Sequence, residues 1–252
     1  PFRSNIKFAK NQIFLSNQDN VFYSINSKTG DKVWQYATGL TFLKSDFKNN
    51  IALDLVNNNL FFLNTSGQLY SINFFDQKIN WVLNFKNPSL SGDLSGDTEL
   101  FLSHPLVFKD NNLIVSTEQS ILNYNPQTGS PNWKFYAEPI FKPIITLNHT
   151  YVILKQNLLL CIDNSNGEVI WSRSISKNIM KKKTKSKNKK IADFKMVNSK
   201  LNIYYKNGNL LSFNPFNGDL NSVNKISRSG INSEIFFING NMLFVNKKNR
   251  FL

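Results

Sequence analysis

Few side chains in this sequence are of types that act on a reacting bond. His104, His149 and Cys161 are its whole supply of imidazole and thiol. His149 lies in Asn148-His149-Thr150, which reads as a solvent-exposed turn between strands, and His104 precedes Pro105 at a strand start. Neither has a Ser or Cys nucleophile at a useful spacing, and neither belongs to a metal-ligand pattern. Cys161 sits in an apolar run, cannot form an internal disulfide and reads as a small buried hydrophobe. Residues 86–99 contain two Ser-Gly-Asp triplets, which suggest a calcium loop. Their carboxylates, Asp93, Asp97 and Glu99, lack the alternating spacing of such loops, so the segment reads as a long polar connection. The residues therefore predict no catalytic group, no cofactor site and no metal site.

Charge is the second source of chemistry. The formal net charge is +14, and over half of it comes from eight lysines, unaccompanied by any acid, between Lys177 and Lys190. Blocks of like charge form solvated loops, and that is the first reading of this insertion. The functional alternative is a point-charge patch of Lys181, Lys182, Lys183, Lys185, Lys187, Lys189 and Lys190 facing an anionic membrane surface or an acidic partner. Nucleic acid is disfavoured, because a single-strand reader interleaves aromatics with its basic residues and none lies between Ser172 and Ala192. No apolar run is long enough to cross a bilayer as a helix.

A short element recurs five times and decides the architecture. Ser24–Trp34 reads SINSKTGDKVW, Asn123–Trp133 reads NYNPQTGSPNW and Cys161–Trp171 reads CIDNSNGEVIW. The copy from Ser71 to Trp81 has Gln77 at the glycine position, and the copy from Ser212 to Ser222 keeps Asn217-Gly218 but ends in Ser222. The tryptophans at 34, 81, 133 and 171 and the vacant position 222 are spaced by 47, 52, 38 and 51 residues. Each copy is flanked by runs of four to seven residues rich in Ile, Val, Phe, Tyr and Leu, such as Gln12–Ser16, Leu60–Leu63 and Leu201–Tyr205. These runs are too short for helices and are bounded by turn residues, so they read as strands. The glycine supplies the positive φ of a tight hairpin. Four strands per period make the unit of a β-propeller, the all-β architecture in which each unit buries its faces on its neighbours.

The pattern resembles the tryptophan-docking motif of the pyrroloquinoline-quinone (PQQ)-type propellers, small-x-Asp/Asn-x-x-Thr-Gly-x-x-x-Trp. The resemblance implies four-stranded antiparallel blades at roughly 1–45, 46–86, 100–138, 140–175 and 191–227, a partial blade at 231–252, and a lysine-rich insertion at 177–190. About five and a half blades of seven or eight are then present, as in an excerpt of a longer protein. It also implies that Gly30, Trp34, Trp81, Gly129, Trp133, Gly167, Trp171 and Gly218 dock one blade on the next. Enzymes of this family hold the quinone with adjacent cysteines and a calcium ligated by acidic and amide side chains, for which this sequence has no equivalent. The compact members, outer-membrane assembly lipoproteins, imply a non-catalytic protein-binding scaffold in the periplasm, associated with the outer membrane and with the assembly machinery as partner. A fragment of a PQQ-dependent alcohol or sugar dehydrogenase, and a sensor or adhesion propeller, are the alternatives.

Overall fold

The structure is a computed structural model in which residues 4–38, 50–85, 101–175 and 190–250 are described. The named elements are all β-strands. The chain forms two compact units, one reaching to Leu147 and including Asn164–Gly167, the other made of Asn148–Asp163 and Glu168–Leu252.

The first unit holds three sheets of four antiparallel strands in sequence order. They are β1 (Lys7–Ala9), β2 (Gln12–Ser16), β3 (Val21–Asn26) and β4 (Lys32–Ala37); β5 (Ile51–Asp54), β6 (Asn59–Leu63), β7 (Gln68–Asn73) and β8 (Lys78–Asn84); and β9 (Val107–Lys109), β10 (Asn112–Ser116), β11 (Ser120–Tyr124) and β12 (Pro131–Tyr136). The middle sheet is buried on both faces. Leu60, Phe62, Tyr70 and Ile72 pack with Phe14, Phe22, Trp34 and Phe74 on one side. Phe61, Leu63 and Leu69 pack with Leu113, Val115, Leu122 and Trp81 on the other. Side chains alternate along a strand, so a strand covered on both faces must be apolar throughout. Asn59-Leu-Phe-Phe-Leu63 meets that demand and is buried at every position.

The fourth sheet has the order β13 (Ile144–Ile145), β14 (His149–Ile153), β15 (Leu158–Asp163), β16 (Val169–Ser174). The second unit also contains β17 (Ile191–Val197), β18 (Lys200–Tyr205), β19 (Asn209–Phe213) and β20 (Leu220–Lys225), followed by a pair, β21 (Phe236–Ile238) and β22 (Asn241–Leu243). Tyr204, Ile231, Ile235 and Phe244 form its described core cluster. Asp193 is nearly buried there, and its carboxylate accepts from the N–H groups of Phe194 and Ile235 at 2.8 and 2.9 Å.

One irregularity repeats in all five four-stranded sheets. The ladder between the third and fourth strands shifts register at Ser24/Ile25, Ser71/Ile72, Asn123/Tyr124, Cys161/Ile162 and Ser212/Phe213. The extra residue on the fourth strand is Val33, Asn80, Asn132, Ile170 or Asn221, just before the tryptophan position. A bulge increases local twist and re-aims the next side chain. It sets each tryptophan position opposite a small or compact buried residue: Ser24, Ser71, Asn123, Cys161 or Ser212.

Burial pushes the phenols of Tyr124 and Tyr204 up to about 12, with Asp193 adding to the effect at Tyr204, and raises Tyr205 further. Unfolded tyrosine titrates near pH 10. The stability these neutral phenols contribute is fully present below pH 10 and is lost as pH rises through about 12. Urea unfolding at pH 9 and pH 11.5 is expected to show a lower midpoint at the higher pH, with a smaller drop in Tyr124→Phe.

Candidate functional site: the tryptophan turns

The residues singled out by the repeat converge on the turn between the third and fourth strands of each sheet. The turn opens on Asn26, Asn73, Asn125, Asp163 or Asn214. Short polar side chains can bond the backbone just ahead of them and hold a turn without help. The Asn26 amide oxygen accepts from the N–H groups of Lys28 and Thr29, that of Asn73 from Phe75 and Asp76, that of Asn125 from Gln127 and Thr128, and that of Asn214 from Phe216. Four residues on, the backbone enters the left-handed region at Gly30, Gln77, Gly129, Gly167 and Gly218, with φ of 79°, 60°, 74°, 77° and 73°.

Three of these turns carry an indole. In the first unit, Trp81 Nε1–H donates to the Pro126 carbonyl at 3.0 Å, and a Cβ placed on Gly129 would lie 2.8 Å from the Trp81 ring. Trp133 Nε1–H donates to the Asn164 carbonyl at 2.8 Å, and a Cβ on Gly167 would lie 2.8 Å from Trp133. In the second unit, Trp171 Nε1–H donates to the Pro215 carbonyl at 3.1 Å, and a Cβ on Gly218 would lie 2.5 Å from Trp171. The acceptor is always the carbonyl of the turn's second residue. Glycine is thus required twice, for its positive φ and for the flat surface on which the ring rests.

Trp34 departs from this arrangement. It packs against Phe14 and Phe22, with ring centroids 6.5 and 5.3 Å away, and its indole N–H is buried without a partner. The following repeat has Gln77 at the glycine position, so its turn lacks the bare backbone on which the other indoles rest. Polar contacts tie this pair of sheets instead. Asn20 Nδ2 donates to Thr65 Oγ1 at 2.5 Å, the Thr65 N–H donates back to Asn20 Oδ1 at 3.1 Å, and Asn64 Nδ2 reaches the Thr38 carbonyl at 3.2 Å. Ser222 places a hydroxyl where the other copies have an indole.

The remaining candidates are dispersed. His104 Nε2 donates to the Pro139 carbonyl at 2.7 Å and is spent on a backbone contact. His149 is not an exposed turn residue. It begins β14 paired with Asp163 and is half-buried, because the strand extends past its apolar run into Asn148-His149-Thr150. Cys161 is buried opposite Trp171, and burial raises its thiol to about 12. Lys181, Lys182, Lys183, Lys185, Lys187 and Lys189 lie outside the described residues, as does the Ser-Gly-Asp segment, while Lys190 is exposed. Among the described residues, no three His, Cys, Asp or Glu side chains are grouped to hold a metal ion.

The turns also present apolar side chains that the sequence reading passed over. Phe75 and Phe216, each the third residue of its turn, are 72% and 79% exposed. Val56, in the turn between β5 and β6, is 88% exposed beside the exposed Leu55. The Phe74 N–H bonds the Asn58 carbonyl at 2.9 Å, so Leu55, Val56 and Phe75 share one end of the second sheet. In the sequence these residues look like the fringe of apolar runs.

Sheets of this construction define the class: the fold is a β-propeller of PQQ-like repeats. The sequence model of the family described as "Outer membrane protein assembly factor BamB" matches residues 1–173 and 48–252, and the chain belongs to that family. It is 24% identical over 182 residues to outer membrane protein assembly factor BamB of Shewanella oneidensis, an alignment covering 69% of this chain and 44% of the relative. It is similar in fold to BamB from Moraxella catarrhalis, with a TM-score of 0.66 and 11% identity over 97% of this chain and 66% of that one. It also resembles quinohemoprotein alcohol dehydrogenase from Comamonas testosteroni, with a TM-score of 0.60 and 14% identity over 92% of this chain and 44% of that one. The chain spans less than half the length of the curated relative.

Two substitutions measure the turn contacts. Trp133→Ala is expected to cost about 3–5 kcal/mol in urea unfolding, since it removes a buried ring and the shorter of the two hydrogen bonds to the Asn164 carbonyl. Gln77→Gly is expected to gain about 1 kcal/mol by relieving a left-handed non-glycine residue, or roughly 2–4 °C in thermal midpoint.

Proposed function

We propose that the chain is a non-catalytic protein-binding scaffold in outer-membrane protein assembly, working in the periplasm in association with the outer membrane. The observation that carries this reading is the match of the assembly-factor family to both overlapping parts of the chain, which together span residues 1–252. The chemistry of the site supports it. Gly218 with Trp171 holds the turn that exposes Phe216, and the Asn73 cap holds the turn that exposes Phe75. Exposed apolar residues on stiff turns suit recognition of other proteins, here components of the assembly machinery. In the second unit, Phe216 offers an equivalent contact point.

The likeness to a quinohemoprotein dehydrogenase motivates a second reading, a fragment of a quinone-dependent enzyme. The donor set does not fit that group. The sole cysteine is buried inside its sheet, and the described carboxylates and imidazoles are scattered. Incubation with PQQ and calcium followed by a dye-linked alcohol or sugar oxidation assay is expected to give no turnover above the no-protein control.

The scaffold reading is tested by tagging the protein, expressing it in the periplasm and measuring co-purification of the outer-membrane insertase. Capture is expected, and a Val56→Asp/Phe75→Asp double variant is expected to reduce it about tenfold with an unchanged thermal midpoint. Absence of capture with the parent protein would sink the proposal. Equal capture by the double variant would move the contact away from this end of the second sheet.

A further inference from the structure

The sequence contains four Asn-Gly pairs: Asn166-Gly167, Asn207-Gly208, Asn217-Gly218 and Asn239-Gly240. A glycine has no side chain to shield its backbone nitrogen, so that nitrogen can attack the side-chain amide carbon of an asparagine just before it. The attack needs a free N–H and a backbone able to turn. The fold withholds these at three of the pairs. Gly167 lies against Trp133, with the ring 2.8 Å from the place of an added Cβ, so its turn cannot move without displacing the indole. Gly208 is buried, its N–H donates to the Tyr205 carbonyl at 2.7 Å, and an added Cβ would run into the Ser227 carbonyl. Gly218 is buried beneath Trp171, and its N–H donates to the Asn214 carbonyl at 2.9 Å. The Asn217 amide is held as well. Its Nδ2 donates to Asp219 Oδ2 at 2.8 Å, and its Oδ1 accepts from the Asp219 N–H at 3.0 Å.

Asn239-Gly240 differs on each point. The pair is the two-residue loop of the β21–β22 hairpin, closed by Ile238 opposite Asn241. Both residues have positive φ, 50° and 78°, as a type I′ turn requires. Residues 236–241 are all exposed, and an added Cβ on Gly240 meets nothing within 4 Å. Among the described residues, no hydrogen bond engages the Gly240 N–H or the Asn239 side chain. The hairpin is a two-stranded sheet with three cross-strand pairs, and so short a ribbon opens far more readily than a four-stranded sheet. We propose that Asn239 is a site of spontaneous covalent modification, in which the chain itself supplies the nucleophile. The Gly240 nitrogen loses its proton to water or hydroxide and bonds to Asn239 Cγ. The Cγ–Nδ2 bond breaks, and Nδ2 leaves as ammonia. Water then opens the five-membered imide at one of its two carbonyls. Opening at Cγ restores the peptide bond and leaves aspartate. Opening at the main-chain carbonyl leaves isoaspartate, with the chain running through Cγ. One water is consumed and one ammonia released, and nothing is oxidised or reduced. Either product adds a negative charge, and isoaspartate adds a methylene to the main chain, which a two-residue loop cannot carry in its present register. The inference stands apart from the scaffold reading.

The test holds the full chain at mildly alkaline pH, where loss of the Gly240 proton is favoured, and withdraws samples over days for trypsin digestion and mass spectrometry. Cleavage after Arg228 and Lys247 releases the fragment that reports Asn239. Cleavage after Lys206 and Lys225 releases the one that reports Asn207 and Asn217, and cleavage after Lys155 and Arg173 the one that reports Asn166. A digest at zero time sets the background from handling. In the folded chain Asn239 is expected to convert first, about tenfold faster than the other three, with isoaspartate among the products. A parallel sample in enough urea to unfold the chain removes the protection, and there the four pairs are expected to convert at similar rates. Equal conversion of the four pairs in the folded chain, faster conversion at another pair, or a preference for Asn239 that persists in urea would each overturn the proposal.

Discussion

The fold depends on one contact, an indole resting on a glycine and donating its N–H to the carbonyl three residues before that glycine. The contact needs a turn that stays closed by itself, a left-handed fifth residue and a tryptophan aimed at the next turn. Asn26, Asn73, Asn125 and Asn214 meet the first need with side-chain caps. The bulge before each tryptophan position meets the third. In a strand of strict period two, inserting one residue sends every later side chain to the opposite face. The bulge therefore determines which neighbour the ring can reach, and the small residue opposite it, Ser71 for Trp81 or Cys161 for Trp171, leaves the ring room.

Copies that lack one part show the parts are coupled. Gln77 preserves the turn backbone at φ 60° but adds a Cβ, and the indole N–H of Trp34 in the preceding repeat is left unpartnered. A buried donor without an acceptor costs about 1–3 kcal/mol. At that junction the load shifts to apolar burial, through Phe14, Phe22, Phe62 and Phe74, and to the Asn20–Thr65 pair at the other end of the sheets. The sole cysteine acquires a plain meaning in the same frame. Cys161 is the small residue opposite Trp171, in the position Ser71 holds opposite Trp81, and its raised pKa follows from that burial rather than from any task.

Much of this architecture was legible in the sequence, for identifiable reasons. The strand runs were visible because a sheet covered on both faces demands unbroken apolar stretches such as Leu60–Leu63. The turns were visible because only a few residue types accept positive φ. The bulges were not, since a bulge is a mismatch between two strands and neither strand shows it alone. A second recurring turn was also missed, in which Asn17, Asn64, Thr117 or Asn246 caps the backbone ahead of it. The left-handed positions Asn11, Asn20, Asn58, Asn111, Asn157, Asn198, Asn239 and Asn249 were missed as well, since asparagine also occurs in extended backbone. His149 was misplaced because a strand continues by backbone pairing after its apolar residues end.

The exposed apolar turn residues were the least legible feature, and the reason lies in what the turn does. The first, second and fifth residues of the turn are committed to the cap, the acceptor carbonyl and the ring. In two turns the third residue is aromatic and exposed, as Phe75 and Phe216. Sequence periodicity cannot mark such a residue, because its exposure comes from the cap and not from alternation. A side chain on a turn whose backbone N–H groups are held by a side-chain cap, as those of Phe75 and Asp76 are by Asn73 Oδ1, has little backbone freedom left to lose when a partner arrives. Turns closed by their own caps therefore present their tips in a pre-ordered state, whether or not an indole rests on them, as the Asn73 turn shows.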